Sequence, residues 1–375
     1  MVFLLIALSA PPDFHPQLLG VDLHESCAVG DIDQDGRPDV AAGRHWFRNG
    51  EWVARPLRQV EDRNGYSMSN SDFLIDCDAD GDLDLLSGNY FDGRVTWHEN
   101  PGPGEVYGGG LWTEHLLFDT EQTTNELNEL VDIDRDGRPE WVANQWVATK
   151  PLLLWRLSVD GNGALTGAER YQVTPDSSDG DPVNGHGLGF GDITGDGQPE
   201  LIVRSGWYEY QDSPFQGDDW TFHPDWDEHF SLPILVGQFA GDDSPDLLFG
   251  TPHDYGVNLW IGKGRPREFE RTVVDASFSQ AHAVHLADID GDGADELITG
   301  KRVRAHNGKD PGADDPPQIV YFDLDALDDG PRVIERGRVG IGLKIESADL
   351  DADGDIDLVV NGKGGLFVLW NGGAE

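Results

Sequence analysis

The sequence predicts an all-β chain closed into a ring of seven four-stranded units, and three observations predict it. One acidic nine-residue loop is written seven times, successive copies start 45 to 61 residues apart, and each copy stands between two short apolar runs. Such a spacing holds four short strands and their turns but does not suit a helical solenoid. Units of this kind bury their faces against one another, so seven of them make a ring.

In chain order, six loops place oxygen-bearing side chains at positions 1, 3, 5 and 9. These are Asp31, Asp33, Asp35 and Asp39; Asp76, Asp78, Asp80 and Asp84; Asp132, Asp134, Asp136 and Glu140; Asp192, Thr194, Asp196 and Glu200; Asp288, Asp290, Asp292 and Glu296; and Asp349, Asp351, Asp353 and Asp357. Glycine stands at position 6 of each, where the turn is sharpest. Oxygens at these intervals converge on one cation, and several hard donors suit Ca²⁺ better than Mg²⁺. A single copy reads equally as an Asp/Gly turn; the repetition favours about six Ca²⁺ sites. The remaining copy, Gln238 to Asp246, has lost two acids and the glycine and is expected to be empty or weak.

Composition narrows the partners. The chain has 375 residues with 70 acidic and 26 basic side chains, a net charge of −44, and 38% hydrophobic residues. A polyanion of this density repels nucleic acid and anionic membrane surfaces, and no basic patch offsets it. Twelve tryptophans and sixteen phenylalanines argue against disorder. Apolar runs all fall short of the roughly 20 residues that span a bilayer. Residues 1–12 read as an export leader with a small-residue cleavage site, although no basic residue precedes the apolar stretch; a buried first strand is the alternative. The expectation is a secreted or periplasmic monomer. Cys27 and Cys77 are expected to be small buried groups rather than a disulfide.

The seven loops, each preceded by a small-apolar strand and followed by runs such as Asp39-Val-Ala-Ala-Gly43, resemble FG-GAP/VCBS repeats over nearly the whole chain. The resemblance implies a seven-bladed β-propeller with calcium in the loop joining the first two strands of each blade, as in integrin α-chain heads. More loosely, the chain is similar to propellers of some carbohydrate-active lyases and of the fungal aldos-2-ulose dehydratase.

A single propeller over residues 13–375 then divides into blades at about 21–60, 66–119, 122–175, 183–231, 232–276, 279–337 and 340–375. In the first blade the strands fall near 25–30, 40–43, 45–48 and 52–57, with Asn49-Gly50 as a type I′ hairpin. Outer strands recur at 112–118 and 269–274. The last blade stops after Leu366 to Trp370, and residues 13–19 carry the missing outer strand, which predicts closure by the N-terminal segment.

Strand direction sorts the polar residues. Starts of inner strands and ends of second strands share the face opposite the acidic loops. The starts bring His24, Glu25, Asn70, Asn125, Glu126, His186, His282 and Lys344; the ends bring Arg44, His45, Asn89, Gln145, Arg204, His253, Lys301, Arg302 and Lys363. Three of the six lysines fall on this rim. Water in the channel explains polar residues there; a pocket for a small polyhydroxylated or anionic ligand explains them equally. Trp46, Trp146 and Trp207 read either as sugar-stacking or as blade-packing residues. Insertions at 207–226 and 300–317 are expected on this face, those at 101–110 and 160–167 on the acidic side as inert excursions.

Two classes of function follow. As a binding module, the rim grips a glycan, another small polar ligand or a protein, with His45, Asn70, Asn89, Asn125, Glu126, Arg204, His253 and Lys363 as contacts. As a sugar lyase or dehydratase, His24, His186 or His282 removes a proton while Lys301, Arg302 and Lys344 stabilise the oxyanion, with a further metal held by rim histidines as a variant. No nucleophile elbow, phosphate loop or dinucleotide fingerprint is present.

Overall fold

Position nine of each acidic loop is where the second strand begins, and that junction organises every blade. The computed structural model describes residues 12–174, 180–241, 243–263 and 268–372. In it the Asp39 carboxylate accepts from the backbone N–H of Ile32 (3.0 Å) and of Asn49 (2.7 Å). Asp84 does the same for Cys77 and Asn100, and Asp357 for Leu350 and Asn371. Glu140, Glu200 and Glu296 hold the N–H of Ile133, Ile193 and Ile289. Between these anchors the position-six glycines adopt φ from +88° to +101°, a region costly for any side chain. Position two points inward, so Ile32, Cys77, Ile133, Ile193, Ile289 and Leu350 plug the blade bottoms.

Second strands are buried along their whole length in all seven blades: Asp39–Ala42, Asp84–Gly88, Glu140–Ala143, Glu200–Val203, Asp246–Gly250, Glu296–Gly300 and Asp357–Gly362. Each is covered by neighbouring blades on both faces, so it reads as a continuous apolar run rather than an alternating one. Among the described residues the strands form seven four-stranded antiparallel sheets and a two-stranded ribbon, Asp62–Arg63 with Tyr66–Ser67. The architecture is a seven-bladed β-propeller. Phe14–Gly20 pairs antiparallel with Gly365–Asn371, Phe14 opposite Asn371, and supplies the outer strand of the last blade as expected. Phe14 packs into the core between the last two blades.

An asparagine latch seals neighbouring blades on the acidic side. Asn49 Nδ2 donates to Leu350 O (2.6 Å), Asn100 Nδ2 to Ile32 O (2.9 Å) and Asn371 Nδ2 to Ile289 O (2.7 Å), each time position two of the preceding blade's loop. Tyr210 Oη takes the same role toward Ile133 O at 3.0 Å. This overturns the type I′ reading of Asn49-Gly50. Gly50 has positive φ but Asn49 does not, because its amide is committed to the neighbouring blade and the chain turns over Arg48 to Trp52 instead, with Trp52 N donating to Arg48 O.

Two insertions also differ from expectation. Residues 207–226 are no excursion on the rim: they include the third and outer strands of the fourth blade, Gly206–Tyr210 and Trp220–His223, whose hairpin lies on the acidic side. The 101–110 segment is not inert, since Tyr107 Oη donates to Asp33 and Val106 joins the core. The leader at residues 1–12 lies, but for Pro12, outside the described residues, as does Asp242. No helix among the described residues is long and apolar enough to cross a membrane.

Candidate functional site

Opposite the acidic loops, five of the twelve histidines gather in one cluster, four of them against the indole of Trp146. His186 precedes an inner strand in blade four, and His282 does so in blade six. His253 follows a second strand, while His229 and His306 lie in connecting segments. Ring centroids are 4.7 Å apart for His186 and His253, 5.6 Å for His186 and His282, 5.1 Å for His229 and His253, and 4.3 Å for His253 and His306. Trp146 meets His186 and His253 edge-on at 5.5 and 5.4 Å. His186 reaches this place because Gly187 at φ +123° lets the chain pass Phe230, where a Cβ would stand 2.8 Å from the phenylalanine Cβ. Arg304, His306 and Asn307 all hold positive φ, a strained turn that aims the His306 ring inward.

Beside the cluster lies a cavity of about 360 Å³, within the range of small-molecule sites. Tyr66, Tyr90, Phe91 and Trp146 give it aromatic walls, and Glu25, Asn70, Glu126, Arg302, His306 and Asn307 give it polar groups. Arg302 donates to both Glu25 oxygens at 2.7 and 2.8 Å. Lys363 Nζ stands 3.3 Å from the centre of the Tyr66 ring and 3.7 Å from Glu25.

Electrostatics keep most of the cluster uncharged. Burial lowers His282 well below the ordinary imidazole range, brings His253 to about 3 and His229 to about 4, and neighbouring cations and imidazoles add to the effect. Burial alone would raise Glu126, but His186, Arg302 and His306 overcome it and hold the carboxylate at about 2. Burial also brings Lys363 down to about 8 against the pull of Glu25.

The sequence-derived rim therefore divides. His186, His253, His282, Arg302, Glu126, Asn70 and Lys363 surround the cluster or its cavity. His24 does not join them: its ring is buried against Gly43 and is bonded to Ser67 Oγ at 2.6 Å, with Asp22 at 3.0 Å. Lys344 turns to Glu346 (2.6 Å) and to Asp72 O (2.9 Å), and Lys301 is buried on Gln280 Oε1. Asn89 caps its own turn through Phe91 N and Asp92 N, Asn125 bonds Thr120 and Gln145, and Arg204 pairs with Asp227. His45 opens the third strand of blade one, half-buried and away from the cavity. Trp46 and Trp207 are core residues, whereas Trp146 is 36% exposed at the mouth. The 300–317 insertion does belong to this face and contributes His306 and Asp310, whose side chains bond each other. His229 was not singled out in the sequence, and no periodic signal marks it.

On the other face, Asp31, Asp33 and Asp39 each bring an oxygen within 4.8 Å of the others, as do Asp76, Asp78 and Asp84. These all-oxygen sets fit a hard cation. Arginines also reach some of them: Arg48 bonds Asp33 and Asp35 at 2.7 Å, and Arg156 bonds Asp136 at 2.9 Å. Asp134, Asp192, Asp288, Asp290, Asp292, Asp349, Asp351 and Asp353 stand at the matching positions of their loops, most of them bonded to loop N–H groups. Thr194 instead turns its hydroxyl to Glu200.

No family model matches the chain. Among curated proteins it is similar to integrin alpha-5 of Xenopus laevis, 26% identical over 147 residues, which is 36% of this chain and 14% of that protein. Two solved structures share the fold across nearly their whole length. The BP39L lectin from Burkholderia pseudomallei has a TM-score of 0.51 at 12% identity, covering 94% of this chain and 99% of the lectin. The virginiamycin B lyase from Staphylococcus aureus has a TM-score of 0.50 at 9% identity, covering 95% and 99%. At these identities the likeness is one of fold.

Proposed function

We propose that the chain is a secreted propeller of the FG-GAP type, carrying Ca²⁺ in its acidic loops and binding a carbohydrate or similar small polar ligand at the opposite mouth. The observation that carries this reading is the cavity itself, where Tyr66, Tyr90, Phe91 and Trp146 face Asn70, Glu126 and Arg302. Aromatic faces cover the C–H faces of a sugar ring while fixed amides and charges meet its hydroxyls. The partial integrin likeness and the lectin among the fold's neighbours point the same way. The apolar start of the chain supports export.

Binding leads over catalysis because the cations that an elimination needs are either neutralised in the cavity wall or turned away from it. Arg302 is neutralised by Glu25, and Lys301 and Lys344 face away from the cavity. One observation favours a lyase as the second reading: His306 lines the cavity and is held through Nδ1 by Asp310, the arrangement of a base with its orienting carboxylate.

The experiment is a screen of neutral glycans and uronate oligomers, by saturation-transfer NMR for binding and by ultraviolet absorbance for unsaturated products. Binding that is lost in Trp146→Ala and Tyr66→Ala supports the cavity; binding that both variants retain overturns it. Absorbance that grows with the wild type and not with His306→Ala would favour the lyase.

A further inference from the structure

We infer that His186, His253 and His282 form a binding site for one transition-metal dication of the zinc class, set in the wall beside the cavity and separate from the acidic loops. One ring nitrogen of each lies within 4.8 Å of those of the other two. The Nε2 atoms of all three are buried and have no hydrogen-bond partner within the protein. Three orphaned acceptors in one place are a standing cost that a shared cation removes.

The opposite nitrogens explain why Nε2 is free. His186 Nδ1 bonds Phe230 O at 2.7 Å, and His282 Nδ1 faces Gln280 O at 3.3 Å. His253 Nδ1 meets His306 Nδ1 at 3.0 Å and the Asp310 carboxylate at 3.5 Å. Carbonyl partners keep the proton on Nδ1 of His186 and His282 and leave the Nε2 lone pair of each free, the tautomer that a metal ligand requires. Glu126 supplies a fourth donor: its Oε1 is 3.4 Å from His186 Nε2 and its Oε2 is unpartnered.

Donor chemistry separates this site from the loops. Imidazole nitrogen selects zinc, copper, nickel or iron, whereas Ca²⁺ and Mg²⁺ take oxygen. The three ligands come from three different blades, so the ring sets their spacing rather than any one loop. The site stands whatever occupies the cavity, because metal binding is read without a second ligand.

The test uses the whole chain, stripped of metal and returned to excess Ca²⁺ so that oxygen sites are filled. Titration with Co²⁺ is expected to give one equivalent with visible absorption of a nitrogen-ligated, low-coordinate ion, bleached by Zn²⁺. His186→Ala with His282→Ala removes the band, and so does His253→Ala alone, whose side chain is partly exposed (21%) and is the safer variant for folding; far-UV circular dichroism reports the fold. Asp310→Asn, a positioning change, keeps the stoichiometry and weakens Zn²⁺ about 10–100-fold. Asp351→Ala leaves the band unchanged. A wild-type chain without the band, or a folded His253→Ala that retains it, overturns the site.

Discussion

Arg302 and Glu25, 277 residues apart in the chain, meet in a bidentate ion pair with both side chains buried, at 2.7 and 2.8 Å. The pair joins the sixth blade to the first and forms one wall of the cavity, so it links ring closure to the mouth. Breaking one partner strands a buried charge, whereas removing both does not. Arg302→Met is expected to cost about 3–5 kcal/mol, and Arg302→Met with Glu25→Leu to recover part of it, because Glu126 and Lys363 each still lose a buried partner. Urea midpoints of the three variants check this; equal losses in the single and double variants would contradict it.

The degenerate fifth loop separates the two roles of the acidic residues. Asp246 still accepts from Phe239 N and Ala240 N at 2.8 Å and from Gly262 N at 2.9 Å, although its loop has lost two acids. Position nine therefore holds the loop together independently of any cation. Asp246→Ala should lower stability by about 2–4 kcal/mol equally with Ca²⁺ and with chelator, while Asp351→Ala should matter only with Ca²⁺. Melting curves in both buffers decide it.

Closure by the N-terminal strand predicts a truncation effect. A chain beginning at Val21 loses the partner of Gly365–Asn371, the burial of Phe14 and the bond from Trp370 Nε1 to Gln17. Phe14 alone is worth about 2 kcal/mol, and the exposed edge favours association. The expected readouts are a lower melting temperature and a larger species in light scattering; an unchanged melt would show that the ring closes without this strand.

Cys27 and Cys77 are free and buried, and burial pushes both thiols far above their ordinary range. Neither should react with a thiol reagent in the folded chain, and both should react in denaturant. Fast labelling of the native protein would contradict this.

Much of the fold was legible because it is periodic: the loop recurs, and the one missing outer strand pointed to residues 13–19. The mouth was legible only in part. Strand direction places a residue on a face, which was enough for His186, His253 and His282, whose short side chains follow their backbone. It does not say where a long side chain turns, so Lys301 and Lys344 were misjudged once Gln280 and Glu346 drew them away. His24 was lost to Asp22 and Ser67, neighbours that come from outside the repeat. His229, His306 and Asp310 sit in connections whose paths no repeat constrains. The latch asparagines went unread because asparagine beside glycine or proline at a strand end, as at Asn49, Asn100 and Asn371, signals a turn.

In the proposed function the two faces of one ring divide the labour, hard cations on one and ligand chemistry on the other. Anomalous diffraction from crystals grown with Ca²⁺ and Zn²⁺, collected on both sides of the zinc edge, tests it most directly. The account predicts calcium peaks at the six complete loops and one zinc peak among His186, His253 and His282. Acidic loops without calcium, or zinc found only among the acidic loops, would contradict it.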